Sequence, residues 1–185
     1  MRVMLHACCG PCLIEPFDAL VSEHDVTVCY ANPNIHPLGE YQRRLQTLLD
    51  YADSRGIEVL EEPYDMVSWM RAVAGLEEDL SKRCKACFRL RLGMVADRAA
   101  ALGYDAVATT LTVSPYQDPD SIRDAALAAC EAAGIEYLDT DFRERYRDAT
   151  QRSRELGMYR QNYCGCVLSD IEAQREREAR RARRV

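Results

Sequence analysis

The 185-residue sequence has no apolar run near the ~20 residues a helix needs to cross a bilayer, so no membrane segment is expected. Its opening, Met1-Arg2-Val3-Met4-Leu5, meets a cysteine cluster without an apolar h-region or a small-residue cleavage site, so no signal peptide is expected and the compartment is read as cytoplasmic. Internal repeats, low-complexity linkers and composition shifts are also missing. One domain over residues 1–185 is therefore expected, ending in an Arg-rich helical tail at about 171–185. A surplus of positive charge is missing too. The net charge of −6 argues against a chain coated in nucleic-acid-binding charge. It leaves room for local basic ground at Arg143, Arg145, Arg147, Arg152 and Arg154, and along the tail. The loop Ser114-Pro115-Tyr116-Gln117 has no phosphate-binding glycine pattern.

Cysteine is not scarce. Nine in a chain expected in a reducing compartment point to metal or redox chemistry rather than to structural bridges, and an odd number cannot all be paired. Seven fall into three tight groups: Cys8-Cys9-Gly10-Pro11-Cys12, Cys84-Lys85-Ala86-Cys87 and Cys164-Gly165-Cys166. Cys29, inside an apolar run, and Cys130, on the apolar face of a helical stretch, are expected in the core.

Short β-like runs alternate with helical stretches. Strands are expected at 2–6, 26–30, 57–60, 106–110 and 135–138, and helices at 11–23, 40–55, 64–74, 85–102, 119–133, 146–156 and from 167 into the tail. That order implies right-handed βαβ crossovers and a mostly parallel sheet flanked by helices, a Rossmann-type α/β fold. Such sheets bind ligands beyond the carboxyl ends of their strands. Cys8 to Cys12, Asn32 and Asn34, Thr110 to Tyr116, and Asp139 and Asp141 each follow a strand and share that rim.

The three cysteine groups are each expected at the start of a helix, where the dipole favours thiolate over thiol. Adjacent Cys8 and Cys9 are not expected to point easily at one metal. Structural zinc takes four ligands and an iron–sulfur cluster four thiolates, so seven candidates leave two or three over. The surplus suggests a second metal or a redox pair. His6 suits a proton donor or a backbone-tied strand end equally, and a rim carboxylate is a suitable hard ligand for iron.

The sequence resembles the cobalamin-independent epoxyqueuosine reductases, the QueH family. The likeness runs from Leu5-His6-Ala7-Cys8-Cys9-Gly10-Pro11-Cys12 through Tyr30-Ala31-Asn32-Pro33-Asn34-Ile35 and Glu40-Tyr41-x-x-Arg44. It continues through Arg83-Cys84-x-x-Cys87-Phe88-Arg89-Leu90-Arg91-Leu92, Thr109-Thr110-Leu111-Thr112-Val113-Ser114-Pro115-Tyr116 and Asp141-Phe142-Arg143, closing on Tyr159-Arg160-Gln161-Asn162-Tyr163-Cys164-Gly165-Cys166. Only the tail lies outside it, and Gly10 stands where the family usually has alanine.

The resemblance implies a HUP-like fold and reduction of epoxyqueuosine to queuosine at the wobble position of tRNA. It also implies a 4Fe–4S cluster with a neighbouring mononuclear iron, and an external electron donor. Carried onto this chain, it makes Cys8, Cys9, Cys12, Cys84, Cys87, Cys164, Cys166 and Asp141 the metal ligands, with their division open. Asp141, Cys8 and Cys9 would be catalytic. Asn32, Asn34, Tyr41, Arg44, Ser114 and Tyr116 would hold the modified base, and Arg160 would meet tRNA phosphate. Two alternatives remain open at this point: a metal-free thiol or disulfide reductase, and a zinc-dependent tRNA-binding module without catalysis.

Overall fold

The computed structural model describes residues 1–183, so the last two residues of the expected tail lie outside the described residues. Val3, Met4 and Leu5 form an unbroken apolar run with no exposed surface, as a central parallel strand covered on both faces requires. They belong to β1 (Arg2–His6), which pairs in parallel with β2 (Asp25–Tyr30) on one side and β4 (Ala106–Thr109) on the other. β3 (Val59–Glu61) and β5 (Glu136–Tyr137) complete a five-stranded sheet in the order β3-β2-β1-β4-β5. All four pairings are parallel, so the expected α/β architecture is present in its all-parallel form.

Among the described residues there are seven α-helices: α1 (Gly10–Leu20), α2 (Leu38–Arg55), α3 (Met66–Val73), α4 (Leu80–Ala101), α5 (Pro119–Ala133), α6 (Tyr146–Glu155) and α7 (Val167–Ala182). Alternation along β1 divides its side chains between two cores. Val3 and Leu5 pack with Leu13, Ile14, Phe17 and Leu48, while Met4 packs with Phe88, Leu92, Val95 and Ile122. Cys29 and Cys130 are buried in the second core, as expected. No helix among the described residues is long and apolar enough to cross a membrane.

One boundary moves in a way that matters. The second cysteine group does not sit at a helix start. α4 begins at Leu80, capped by Asp79, whose side chain accepts from Lys82 N at 3.0 Å. Cys84 and Cys87 therefore lie inside α4, one turn apart on one face, and the expected dipole setting at a helix terminus does not apply to them. The first and third groups do sit where expected, with Cys9 preceding α1 and Cys166 capping α7 by accepting from Ser169 N at 3.3 Å.

Candidate metal centre

The sheet order reverses direction between β1 and β4, and the crevice beyond their carboxyl ends is where such a fold receives ligands. The turn after β1 carries Cys8 to Cys12, and the turn after β4 carries Thr110 to Tyr116. A cavity of about 740 Å³ opens there, lined by Cys8, Cys12, Cys84, Cys87, Cys164 and Cys166, with Cys9 buried behind Cys8. Segments about 75 and 150 residues apart in sequence are thus brought to one place by the crossovers.

The thiols form two sets. Cys8, Cys9 and Cys12 have their sulfurs within 4.8 Å of one another, and the Cys8 and Cys9 Sγ atoms are 3.9 Å apart. The expectation that neighbours Cys8 and Cys9 point apart is therefore corrected. The chain bends at Cys8, between the end of β1 and the extended Cys9 that leads into α1, and the Cys8, Cys9 and Cys12 sulfurs gather on one side of that bend. In the second set, the Cys164 and Cys166 sulfurs lie 3.6 Å apart beside Cys84 and Cys87 on α4.

Each set contains one thiol poised to lose its proton. Hydrogen bonds from the Cys12 and Cys9 thiols hold Cys8 well below the ordinary thiol range, against the cost of its burial, while Cys12 is pushed up. In the second set a hydrogen bond from Cys166 lowers Cys164 to about 6, and Cys166 is raised in return. Gln161 Nε2 donates to Cys9 Sγ at 2.9 Å and Thr110 Oγ1 to Cys8 Sγ at 3.4 Å, contacts that favour sulfur carrying negative charge.

His6 stands behind this set, completely buried. Its Nε2–H donates to Ala31 O at 3.3 Å and its Nδ1 accepts from the Thr109 hydroxyl at 2.8 Å. Burial, helped by the nearby Arg91 charge, lowers it to about 3, so it is neutral with both nitrogens engaged. It is a strut for the β1 and β4 ends and not a free acid.

The remaining expected residues divide. Asn34, Arg44, Ser114, Tyr116 and Arg160 line the cavity. Arg44 is fully engaged there: its Nε donates to Glu40 at 2.7 Å and its Nη atoms to the carbonyls of Cys164 and Tyr163 at 3.0 and 3.4 Å, so it holds the cysteine loop. Gly165 makes that approach possible. Its φ is +123°, and an added Cβ would lie 2.9 Å from Ile35 Cγ1 and 3.0 Å from Arg44 Nη1.

Asn32 and Tyr41 do not line the cavity. Asn32 Nδ2 donates to Ala7 O at 2.8 Å, and the Tyr41 hydroxyl donates to Glu61 at 2.8 Å within an aromatic row between Tyr30 and Tyr64. Nor is Asp141 brought to the thiols. Its side chain is 51% exposed and is clasped by Arg143, which donates to it from the backbone N at 3.0 Å and from Nη2 at 2.5 Å. Asp139, the other rim carboxylate, is paired with Arg123.

Of the other lining residues, Trp69 had no sequence signal, while Arg83, Arg91, Gln117, Gln161 and Asn162 stood in the quoted motifs without a site role of their own. For Arg83 and Arg91 a signal existed, since 83, 87 and 91 fall four apart and share a helix face with Cys87. Around the cavity, Asn34 Oδ1, Trp69 Nε1, Arg83 Nε, Arg91 Nε, Gln117 Oε1 and Gln161 Oε1 are buried without a hydrogen-bond partner. Buried polar atoms are rarely left so, and orphans gathered around one cavity mark a place shaped for an occupant.

A parallel α/β sheet with seven thiols at its switch point defines a protein built around a cysteine-lined centre that fits a metal or iron–sulfur group. The sequence model of a protein family described as "Epoxyqueuosine reductase QueH" matches residues 3–172. Curated relatives of the same description include one from Dehalococcoides mccartyi, 35% identical over 92% of this chain and 93% of its own. One from Thermotoga maritima is 32% identical over 98% and 96%, and one from Streptococcus pyogenes 36% identical over 90% and 69%. The chain belongs to the epoxyqueuosine reductase QueH family.

Proposed function

We propose that this chain reduces epoxyqueuosine to queuosine in tRNA, at a centre held by its seven clustered cysteines. The convergence of those thiols from three distant segments on one orphan-lined cavity carries the reading, beside the family membership. The sets divide naturally. Cys84, Cys87, Cys164 and Cys166 offer the four thiolates a 4Fe–4S cluster takes, and Cys8, Cys9 and Cys12 lie close enough to share a single iron. Asp141 is left out of this ligand set, because reaching the cavity would mean releasing Arg143. When bound, such a centre supplies electrons singly and an acid site for an epoxide oxygen.

Converting the epoxide to an alkene consumes two electrons and two protons and releases the oxygen as water. The electrons come from an external donor. The chain's own work is binding and orientation. Asn34, Gln117 and Gln161 present unpaired amide oxygens that suit the donor edge of a modified guanine-like base. Tyr116, 84% exposed, meets Tyr146 edge-on at 6.0 Å, and this pair at the wall suits stacking on a nucleobase. Exposed Arg160 is placed for a phosphate, and Ser114 borders the same path. Asn32 and Tyr41, which were expected to touch the base, act here as supports.

An anaerobic assay on tRNA containing epoxyqueuosine, with a strong reductant, tests the proposal. Nucleoside analysis is expected to show queuosine with iron-loaded protein. Loaded protein that binds the tRNA and leaves the nucleoside unchanged would sink it.

A further inference from the structure

Three arginines line the cavity with their side chains almost entirely buried: Arg44, Arg83 and Arg91. Two are neutralised. Arg44 is paired with Glu40 at 2.7 Å, and Arg83 meets both Glu172 oxygens at 2.8 and 2.9 Å. Arg91 differs. It is 4% exposed, no carboxylate pairs with it among the described residues, and its Nε has no hydrogen-bond partner. Its hydrogen bond from Nη2 to Asn32 Oδ1 at 2.5 Å goes to a neutral amide, and its other side-chain partner is the Cys87 thiol. That amide is itself fixed, since Asn32 Nδ2 donates to Ala7 O, the carbonyl just before Cys8. The guanidinium is therefore aimed by a short chain of contacts from α4 to the first cysteine segment.

A buried guanidinium cannot shed its proton, so burying it without an anion is costly unless the site supplies one. The groups that feel its charge come from all three cysteine segments: Cys8, Cys87 and Cys164. Thiolates bound to metal are the anions at hand.

We propose that Arg91 is the positioning residue whose fixed positive charge balances the metal-bound thiolates and raises the reduction potential of the centre. This rests on reading the cavity as a metal centre. Each electron added makes the centre more negative, so a nearby cation stabilises the reduced state more than the oxidised one. The effect needs the charge, not the shape. Lysine at this position therefore serves nearly as well as arginine, and methionine does not.

The test uses wild type, Arg91→Met and Arg91→Lys, purified anaerobically with iron and labile sulfide counted, and their midpoint potentials taken by redox titration followed spectroscopically. Arg91→Met is expected to shift the one-electron equilibrium toward oxidation by about tenfold, a potential lower by about 59 mV. Arg91→Lys is expected to stay close to wild type. Equal potentials in wild type and Arg91→Met at equal iron content overturn the proposal. If Arg91→Met loses iron, retention by Arg91→Lys supports it, and equal loss from both variants overturns it by assigning Arg91 a shape role. Melting of metal-free protein adds an independent reading. The gain in Tm on iron loading is expected to be smaller for Arg91→Met than for wild type, and equal gains, or a methionine variant unfolded without metal, count against the proposal. Wild type that holds no iron removes the metal reading itself, an outcome distinct from these.

Discussion

Cys8 and Cys9 show how much a local bend of the backbone decides. Neighbours in an ordinary strand point to opposite faces, yet here the bend at Cys8 between strand and helix accompanies sulfurs only 3.9 Å apart. Asp141 shows the converse. Its position after β5 was legible, but its partner was not, because Arg143 two residues on captures it locally. Asp141→Ala is accordingly expected to leave the iron content per chain unchanged. Loss of one iron, measured on anaerobically purified variant, would restore it as a ligand. Gly10 has a simple physical account as well: an added Cβ would meet Met158 Cε at 2.8 Å and the Thr47 carbonyl at 3.1 Å, so the side chain of Met158 stands where an alanine methyl would go.

At the scale of elements, α6 is pinned to α1 by charge. Arg152 reaches Glu15 at 2.7 Å and Asp18 at 2.8 Å, and Arg55 from α2 meets Asp18 at 2.8 Å. Burial pushes Asp18 upward, but hydrogen bonds from Arg152 and Arg55 outweigh it and hold the carboxyl below its ordinary 3.8. A folded-state value below the unfolded one gives stability that is present above the unfolded value and lost as pH falls through the folded value. The Tm of wild type is thus expected to exceed that of Asp18→Asn at neutral pH, with the gap closing below pH 3.8. A gap independent of pH would contradict the ion-pair account. Strand and helix order could be read from periodicity because apolar spacing reports burial directly. Boundaries could not: the start of α4 was placed five residues late because Asp79 caps it through its own side chain, ahead of any apolar signal.

For the whole molecule, close spacing marked the cysteines as three groups of shared chemistry, and the position of Cys8 to Cys12 after β1 put that group at the sheet's ligand-binding rim. Spacing did not show what surrounds them. Trp69, Arg83, Arg91 and Gln117 arrive at the cavity from elements chosen by tertiary packing, and the one buried unpartnered atom that each carries is visible only in three dimensions. Net acidity also concealed the distribution of charge, because Glu40 and Glu172 are spent on the buried Arg44 and Arg83. If exposed Arg160 meets phosphate, log affinity for tRNA falls with log salt, and Arg160→Ala lowers that slope by about one. An unchanged slope would move the phosphate contact elsewhere.

The central claim is that two sets of thiols hold two iron sites. It is tested most directly by counting iron and acid-labile sulfide in the anaerobically purified wild-type chain. The account predicts about five irons and four sulfides per chain, a four-iron cluster plus one separate iron. Zinc alone, or equal amounts of iron and sulfide, would contradict it.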